Sequence, residues 1–361
     1  MRIQVEPLRV LVAEIFEGAG CSPIEARRIA TSLVGANLTG HDSHGVIRVP
    51  RYVSWLEHDI QFADQEIEVL VDQGSLLLID GHYGMGQTVG PQAVQVGMDR
   101  AQEHGHSIVA LRHAGHLGRI GEYAEMAAAR GLVSIHLVNV AGSKLVAPFG
   151  AISRRMGTNP LAFGVPRRGA SPVIHDFATS VVAEGKVNVA LHGGPAVPDN
   201  TLVDADGNLT GDPGVLYHLE EGKQPDTSRG TGALRAMGDH KGSGLSVMCE
   251  LLAGALTGGG CAGPGDVPFS NGMLSIYLDP ATIDPDTSFA TDVADYVDWF
   301  LDARPIDSDE GVRLPGDKER ERRATREAEG LELPDEAWAA IARAATKTGV
   351  TKDRVAQLAS S

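Results

Sequence analysis

The hydrophobic periodicity changes twice along this chain, and that change constrains the fold more than any other feature of the sequence. Apolar residues between positions 8 and 15 recur at helical spacing, and a second helix is predicted from a capping Ser22 to about Gly40. Short apolar segments typical of strands follow, interleaved with helical patterns, and the chain is helical again from about residue 315. The sequence therefore predicts a helical module built from both ends, with an α/β module between them.

The central module contains six predicted strands and three predicted helices. The strands are predicted at residues 75–80, 107–112, 133–138, 161–166, 172–177 and 273–278. The helices are predicted near residues 88–104, 119–130 and 242–257. Residues 192–232 are rich in Gly, Pro, Asp and Thr and predict a long excursion of turns. We therefore expect an α/β (α+β) fold with mixed strand directions.

Charge, cysteine usage and hydropathy exclude several classes of protein. The formal net charge is −16 and no basic stripe offsets it, so we expect neither nucleic acid nor an anionic membrane surface as a partner. Cys21, Cys249 and Cys261 are widely spaced without a C-x-x-C pair, which indicates reduced thiols in a cytoplasmic protein. No apolar run is long enough to span a membrane, and the N-terminal segment is typical of an amphipathic helix rather than a signal peptide.

The segment GHDSHGVIRVPRY (40–52) concentrates titratable side chains in a loop at the end of the second helix. One interpretation is a metal site formed together with a second histidine pair in RHAGHLGR (112–119). The four histidines are His41, His44, His113 and His116. Against this interpretation, no H-E-x-x-H pattern occurs and no cysteine accompanies them. A second interpretation is a nucleophilic Ser43 beside His44, although no G-x-S-x-G elbow surrounds that serine and adjacent side chains on a loop rarely face each other.

A third interpretation uses more of these side chains: a pocket that binds an anion and moves a proton. Arg48 follows His44 by four positions and precedes Tyr52 by four, so a helical segment would place all three on one face. A guanidinium holds a carboxylate through two parallel hydrogen bonds, and Ser43 and Tyr52 add neutral donors. A histidine exchanges the proton of an alcohol that interconverts with a ketone. The stretch by itself leaves this interpretation and a plain polar helix end equally open.

Two glycine-rich stretches are candidates for binding phosphate. Gly84, Gly86 and Gly90 follow a predicted strand, but their spacing is not that of a dinucleotide fingerprint, so a plain strand-to-helix turn is favoured. Around His240 and Lys241, glycines allow backbone amides to approach an anion at the start of the next predicted helix. A glycine-eased helix start without a ligand is the alternative for this second stretch.

Seven stretches together resemble the malate/L-lactate dehydrogenase family of NAD(P)-dependent oxidoreductases, from about residue 5 to residue 345. They are DSHGVIRVPRY, RHAGHLGRIGEYAEMAAARGLV, MGTNPLAFGVP, HDFATSVVAEGKV, VDADGNLTGDPG, GDHKGSGLSVMCELLAGALTGG and LPGDKE. Each is moderately specific, whereas their shared order and spacing are highly specific. The family also contains ureidoglycolate, sulfolactate, diketogulonate and piperideine-2-carboxylate enzymes.

The resemblance implies a fold that periodicity alone does not reveal. It implies a non-Rossmann NAD(P)-binding domain with a mixed sheet at residues 73–289, and a helical domain formed by residues 1–72 and 290–361. It also implies a homodimer with the active site in a cleft close to the subunit contact. A nucleotide would then be bound although the Rossmann fingerprint is missing.

The resemblance also assigns roles to individual residues. The residues that match the substrate-side motif are Ser43, His44, Arg48 and Tyr52. His116 matches the second family histidine; either histidine is the implied acid/base, and we favour His116 because it lies apart from the anion clamp. Asp176 is the implied group that orients His44 and stabilises its charged form. The implied cofactor-binding residues are Asn159, Pro160, Asp176, Phe177, Ala178, Thr179, Ser180, His240, Lys241, Gly316, Asp317 and Lys318.

The implied activity is hydride transfer between the nicotinamide of NAD or NADP and C2 of a small 2-hydroxy or 2-oxo acid, without a metal. The alternatives are reduction of a cyclic imino acid within the same family and, from a different class, a zinc-dependent lyase or hydrolase. One departure from the family pattern is His240, which stands where an aromatic or apolar residue is usual.

Overall fold

The computed structural model describes residues 1–191, 194–220, 225–265, 267–307 and 311–360. The helices are α1 (Val5–Gly18), α2 (Pro23–Leu38), α3 (Val49–Glu57), α4 (Gly86–His104), α5 (Gly121–Ala129), α6 (Glu184–Leu191), α7 (His240–Cys249), α8 (Pro280–Ile283), α9 (Phe289–Leu301), α10 (Asp317–Glu329), α11 (Asp335–Lys347) and α12 (Lys352–Ala359). The strands are β1 (Arg2–Ile3), β2 (Glu68–Asp72), β3 (Leu76–Asp80), β4 (His106–Ala114), β5 (Val133–Ala141), β6 (Pro160–Val165), β7 (Val173–Ala178), β8 (Leu202–Val203), β9 (Leu209–Thr210), β10 (Ala233–Leu234), β11 (Ser270–Leu278) and β12 (Leu331–Glu332). All six predicted strands and three predicted helices of the central module are confirmed within a few residues.

One seven-stranded sheet forms the centre of the molecule, in the order β2-β3-β4-β11-β5-β6-β7. Only β3 and β4 are parallel neighbours, and every other pair is antiparallel, which confirms the expected mixed strand directions. The last β-strand of this module in the chain, β11, lies in the middle of the sheet between β4 and β5. The sheet extends into residues 68–72, because β2 pairs with β3 at one edge.

The two ends of the chain share a hydrophobic core. Leu11 and Leu33 from the first two helices pack in one cluster with Ile341 and Leu358 from the last two. The two-residue strands β1 and β12 pair antiparallel, which ties the N-terminus to the start of the C-terminal helices. A second cluster, centred on Val109 and its neighbours, lies between the sheet and helices α4 and α5.

The turn-rich stretch contains a small antiparallel sheet in the order β10-β8-β9. Leu202, Leu216 and Leu234 are fully buried in its own hydrophobic cluster, which also includes Val187 of α6. Residues 192–193 and 221–224 of the predicted excursion lie outside the described residues. The described part of this excursion therefore contributes to a separate small core, together with Val146, Met156 and Val187.

Close backbone packing explains the glycines that mimic a nucleotide-binding loop. A Cβ on Gly86 would lie 2.2 Å from the carbonyl oxygen of His116, and a Cβ on Gly90 would lie 2.4 Å from the hydroxyl of Tyr123. The glycines therefore allow α4 to pack directly against residues 115–123, as a strand-to-helix turn with a structural purpose. This contact brings the loop after β4 close to the helical core.

None of the helices in the described part of the chain is both long and apolar enough to cross a membrane. Cys21 and Cys249 are buried, Cys261 is partly buried, and all three are free thiols.

Candidate active site

The loop that follows β4 places His116 against Tyr52 of α3. The Tyr52 hydroxyl lies 2.5 Å from Nδ1 of His116, and the Tyr52 side chain is fully buried in the helical core. Gln87 at the start of α4 donates from Nε2 to the carbonyl oxygen of His116 at 3.0 Å and to the Tyr52 hydroxyl at 3.4 Å. Tyr52 of the helical core therefore holds the imidazole of His116, and Gln87 of α4 holds its backbone.

His44 stacks on His116, which brings the two sequence-predicted histidines together. Their ring centroids are 5.6 Å apart with an angle of 13° between the planes. Nδ1 of His44 lies 3.0 Å from the hydroxyl of Ser43, a contact that the sequence analysis did not expect of adjacent side chains. The short 3₁₀ turn Asp42–His44 brings the two side chains together. A Cβ on Gly185 would lie 2.4 Å from Cβ of Ser43, so only a glycine lets α6 approach this turn.

Both imidazoles are held in the neutral form in the free protein. Burial, together with the positive charges of Arg48 and other nearby basic groups, lowers the pKa of His44 to about 3. Burial also lowers the pKa of His116 well below its usual value, and the charges of Arg48, His44 and Arg51 add to this effect. Burial raises the pKa of Tyr52 to about 12, so the phenol stays protonated. A bound anion that neutralised Arg48 would raise the pKa of both histidines.

Arg48 lies beside this pair, at the edge of the same turn. Its Nε donates to the carbonyl oxygen of Ser43 at 2.6 Å, which fixes the direction of the guanidinium. Its Nη2 is 3.8 Å from Oε2 of Glu184, and both side chains are largely buried, at 16% and 12% exposure. Tyr217 donates its hydroxyl to Oε1 of Glu184 at 2.9 Å. Glu184 therefore contacts both the guanidinium of Arg48 and the phenol of Tyr217.

The loop that contains His116 is anchored at several points to the sheet. The backbone N–H of Leu117 donates to Oδ1 of Asn271 at 2.9 Å, and the hydroxyl of Tyr123 donates to the carbonyl oxygen of Leu117 at 2.8 Å. At the end of the loop, the backbone N–H of Gly121 donates to Oδ2 of Asp176 at 2.8 Å. These contacts fix the backbone of the loop on either side of Leu117 to the sheet and to α5.

Asp176 has a different environment from the one implied by the resemblance. Its described hydrogen bond goes to the backbone of Gly121 rather than to His44, and the nearby charges that lower its pKa are those of His41 and Arg119. Burial is the larger effect and raises the pKa of this carboxyl group. Arg119 is itself almost fully buried and forms an ion pair at 2.5 Å with Glu125. The carboxylate of Asp176 is therefore placed to hold the loop after β4 through Gly121.

The sequence-predicted cofactor residues lie along the edge strand β7. Asp176, Phe177 and Ala178 belong to that strand, and its register pairs Ala178 with Pro160 of β6. Thr179 is buried and donates its hydroxyl to the carbonyl oxygen of Thr158 at 3.0 Å. The hydroxyl of Ser180 donates to the carbonyl oxygen of Val182 at 2.8 Å.

The two remaining predicted cofactor segments contact opposite ends of this strand. Beyond its C-terminal end, the carbonyl oxygen of Thr179 accepts from the backbone N–H of Met237 at 2.9 Å. The segment that follows Met237 leads into His240 and Lys241, which are both exposed. At its N-terminal end, Ile174 N–H donates to Pro315, directly before Gly316. Asp317 accepts the backbone N–H of Leu314, and Lys318 is exposed on the first turn of α10. The segments thus form one line of about 17 Å, at about 3.3 Å per strand residue.

Asn159 has a structural contact that its position in the sequence did not reveal. It is fully buried, and its Nδ2 donates to Oε1 of Glu250 at 2.8 Å and to the hydroxyl of Ser246 at 3.0 Å. These bonds tie the start of β6 to α7 and the π-helical turn that continues it. The side chain therefore fixes the relative position of two predicted cofactor segments.

A cavity lies beside β7. Its volume is about 320 Å³, within the lower range of ligand pockets. Asp176 and Gly316 line it, together with Arg320 and Arg323 from α10. Gly316 has a φ of +94°, a conformation that keeps this corner free of a side chain. The lining of the cavity also includes Arg119, Glu125 and Glu319, so three guanidinium groups and three carboxylates face this cavity.

The other two histidines of the metal interpretation face different partners. Nε2 of His41 lies 3.7 Å from Glu319, and Nδ1 of His113 lies 3.0 Å from Asp80. Within the described ranges, no group of three or more His, Cys, Asp or Glu side chains is arranged to hold a metal ion. The zinc-dependent alternative therefore has no support from the geometry.

The structure also adds residues that sequence reasoning missed. Arg51 is an exposed residue of α3 whose charge acts electrostatically on His116 and on Glu184. Glu184 lies in the segment that resembles a cofactor-binding motif, and Gln87 lies in the glycine-rich strand-to-helix turn. Nothing in the sequence pattern could have identified them, because each reaches the site only through the packing of a helix.

Comparison with known proteins supports the same picture across the chain. The model of the malate/L-lactate dehydrogenase family matches residues 3–342. Hydroxycarboxylate dehydrogenase B of Escherichia coli O157:H7 is 36% identical over 359 residues, covering 98% of this chain and 96% of that protein. A Delta(1)-pyrroline-2-carboxylate/Delta(1)-piperideine-2-carboxylate reductase of Pseudomonas putida is 32% identical over 343 residues, covering 93% of this chain and 94% of that protein. A solved structure of a proposed malate/lactate dehydrogenase from E. coli matches with a TM-score of 0.92 and 33% identity, covering 100% of both chains.

The family match and the similarity to hydroxycarboxylate dehydrogenase B identify this chain as an oxidoreductase of the hydroxy-acid dehydrogenase class. The chain belongs to the malate/L-lactate dehydrogenase family.

Proposed function

We propose that this protein transfers a hydride between the nicotinamide of NAD or NADP and C2 of a small 2-hydroxy or 2-oxo acid. The observation that carries the proposal is the stacking of His44 on His116, 5.6 Å apart, beside the oriented guanidinium of Arg48. A proton carrier next to a carboxylate anchor suits an acid whose reacting oxygen is on the adjacent carbon.

The nicotinamide cofactor, when bound, supplies the hydride. We propose that the cofactor-binding residues are those aligned along β7: residues 176–180, His240 with Lys241, and residues 316–318. Asn159 and Pro160 support this surface from β6. The guanidinium groups and carboxylates of the cavity beside Gly316 favour neither NAD nor NADP, so either cofactor satisfies the proposal.

Arg48 anchors the substrate carboxylate, and Ser43 and Tyr52 contribute neutral hydroxyl groups. The bond from Arg48 Nε to Ser43 directs the guanidinium. Its Nη2 also lies 3.8 Å from Oε2 of Glu184, so a substrate carboxylate shares the terminal nitrogens with this ion pair. A carboxylate bound there neutralises the positive charge that lowers the pKa of both histidines. Substrate binding therefore makes protonated imidazole available at the site, where the free protein disfavours it.

His116 exchanges the proton with the substrate oxygen. The imidazole exchanges its proton with the substrate through Nε2, so Nδ1 keeps its hydrogen in both states and donates it to the Tyr52 hydroxyl oxygen. One hydroxyl thus holds the ring in the same orientation before and after proton transfer. Asp176 acts as a positioning residue, since it binds the loop after β4 through Gly121.

His44 is the competing acid/base because Ser43 can hold its ring in the same way. The Ser43 hydroxyl lies 3.0 Å from Nδ1 of His44, and its oxygen can accept the Nδ1 hydrogen while Nε2 exchanges the proton. If His44 exchanges the proton, the stacked His116 becomes the group that stabilises its charge. Substitution of each histidine in turn separates these roles.

Reduction of a cyclic imino acid is the second candidate function. The observation that favours it is the 32% identity with the Delta(1)-pyrroline-2-carboxylate/Delta(1)-piperideine-2-carboxylate reductase. The same carboxylate anchor serves both substrates, because the C=N bond of the imine is next to the carboxylate as the C=O bond is in a 2-oxo acid. Protonation of the ring nitrogen replaces protonation of the carbonyl oxygen.

We further propose a cytoplasmic homodimer with a helical domain of residues 1–72 and 290–361 and a cofactor-binding domain of residues 73–289, whose sheet is extended at its edge by β2 from residues 68–72. The shared core of the chain ends supports the helical domain, and free thiols support a reducing compartment. Exposed apolar side chains on α7 and the turn after it, including Met248 at 45% and Leu251 at 50%, support a subunit contact.

The test is a screen of purified protein with NADH and NADPH against 2-oxo acids and cyclic imino acids. Fluorescence titration with each nucleotide measures cofactor binding independently of turnover. Oxidation of either nucleotide by a 2-oxo acid supports the first function, and oxidation by cyclic imino acids alone supports the second. Binding of neither nucleotide contradicts both.

A further inference from the structure

The carboxylate of Glu184 lies next to Arg48, the proposed anchor of the substrate carboxylate. Its Oε2 is 3.8 Å from Nη2 of Arg48, and its side chain is only 12% exposed. A negative charge at this position opposes the binding of any anion that reaches past Arg48, so its presence needs a physical explanation.

Neighbouring residues hold this carboxylate in place. Tyr217 is buried and donates its hydroxyl to Oε1 of Glu184 at 2.9 Å. Glu184 is also the first residue of α6, and the glycine that follows it allows the helix to contact Ser43. The position of the carboxylate is therefore set by the same helix contact that shapes the site.

Arg51 supplies a second positive charge. It lies one helical turn after Arg48, and its charge acts on His116, Glu184 and Tyr217. Since both imidazoles are neutral in the free protein, the charged groups near the proposed anchor include the two guanidinium groups and Glu184. The carboxylate of Glu184 offsets one of these two positive charges.

We propose that Glu184 determines specificity by restricting the proposed activity to 2-oxo and 2-hydroxy acids with a single carboxylate. A substrate with a second anionic group beyond C2 would bring that group toward Glu184 after the first guanidinium was already occupied. Glu184 also competes for Arg51, the other group that could bind a distal anion. This inference rests on the proposed function and narrows its substrate class to monocarboxylates.

The experiment compares two substrates of the same shape and different charge. Oxaloacetate has a distal carboxylate, and its 4-amide, 2-oxosuccinamate, has a neutral carboxamide in the same position. We expect the wild-type protein, saturated with its preferred reduced nucleotide, to have the higher kcat/KM for the amide. In Glu184→Gln, the kcat/KM ratio of oxaloacetate to the amide should rise about tenfold, since one nearby negative charge is removed.

Two further variants control for indirect effects. Glu14→Gln removes a carboxylate that is ion-paired with Arg354 among the terminal helices, and it should leave the ratio unchanged. Tyr217→Phe keeps the Glu184 charge but removes its hydrogen bond, so the ratio should rise by less than in Glu184→Gln. The Tyr217 variant also decides the question if Glu184→Gln does not fold. Inhibition by oxamate, a monoanion, and tartronate, a dianion, gives a binding readout that does not depend on turnover.

The possible outcomes separate this inference from the function on which it rests. A wild-type preference for oxaloacetate overturns the inference, as does a ratio that is the same in Glu184→Gln and wild type. Both results leave the dehydrogenase function standing, because each requires measured turnover. Absence of turnover with every 2-oxo acid, including pyruvate, instead removes the proposed function and the inference with it.

Discussion

The hydroxyl of Tyr52 lies 2.5 Å from Nδ1 of His116, and this hydrogen bond joins the helical core to the loop that follows β4. Tyr52 is fully buried in a core built from both ends of the chain, whereas the loop of His116 is anchored to the sheet through Asn271. The imidazole therefore has its orientation set by one part of the molecule and its position by another. A site of this kind depends on the packing between the two cores.

Removal of that hydrogen bond should affect turnover more than cofactor binding. Tyr52→Phe leaves Nδ1 of His116 without its partner, so we expect kcat to fall about 10- to 100-fold. Steady-state kinetics with NADH or NADPH measure the change, and Tyr296→Phe, at a side chain that is 61% exposed, is the matched control. Equal kcat in Tyr52→Phe and wild type contradicts an orienting role for the phenol.

His116→Gln should abolish most turnover while nucleotide binding persists. Loss of a general acid/base typically lowers kcat about 100- to 10,000-fold, whereas the predicted cofactor segments lie along β7 and do not include this imidazole. Fluorescence titration checks binding and initial rates check turnover. His44→Gln is the direct comparison: near-normal turnover in His116→Gln together with a large loss in His44→Gln would reverse the two assignments.

Arg48→Ala should mainly raise KM for the organic acid. Loss of uniform carboxylate binding raises KM roughly 10- to 100-fold with a smaller change in kcat. Arg100→Ala removes a guanidinium that is ion-paired with Asp72 at the far edge of the sheet, and it should leave KM unchanged. An unchanged KM in Arg48→Ala is incompatible with the proposed anchor.

Gly86→Ala should disturb the site from outside it. The added methyl group would lie 2.2 Å from the His116 carbonyl oxygen, so the loop or α4 must shift, at a cost of about 1–3 kcal/mol in the free energy of unfolding. We expect lower kcat as well, because the imidazole moves with its backbone. Gly35→Ala on α2 meets open space and should be neutral or stabilising by up to about 1 kcal/mol. Equal denaturant midpoints for the two variants would show that this close contact is not required.

The free energy of unfolding should fall on acidification partly because of His136. This histidine is fully buried beside Ser275, and burial lowers its pKa from 6.5 to about 3. The unfolded chain therefore takes up the proton first, so the stabilisation is complete above pH 6.5 and is lost as the pH falls toward 3. The slope is at most about 1.4 kcal/mol per pH unit for one histidine.

Denaturant unfolding at a series of pH values between 7 and 4 measures this slope. In His136→Gln the slope should be smaller than in wild type, whereas His58→Gln controls for loss of a histidine from the surface. Superimposable curves for His136→Gln and wild type would contradict the assignment. His44 and His116 add to the slope in all three proteins, so the difference isolates His136.

The local structure was predictable where the sequence pattern is set by neighbouring residues. Ser22 caps α2 by accepting from the backbone N–H of Glu25 at 3.3 Å, as the motif predicts. The strand segments around Val109 and Met273 were identified from their apolar runs alone, although β11 lies between strands that are far from it in sequence. The spacing of apolar residues indicates which side chains are buried, and each of these segments contains buried side chains.

The chemistry of the candidate site was only partly predictable. The histidines His44 and His116 and the guanidinium of Arg48 were identified from their motifs, and they lie together. The contact between Asp176 and Gly121, in contrast, differs from the implied one, because β7 faces the loop after β4. Glu184 was invisible as a site residue, since its approach depends on where α6 packs.

The sequence by itself determined which segments are helices and strands, and which motifs carry a proton carrier and an anion anchor, because these depend on residue type and short-range spacing. Only the tertiary structure decided that Tyr52 orients His116 and that Glu184 stands behind Arg48. These pairs are separated by 64 and 136 positions in the chain, the second counted as 184 minus 48. Their distances follow from the packing of whole helices and loops, which no local pattern records.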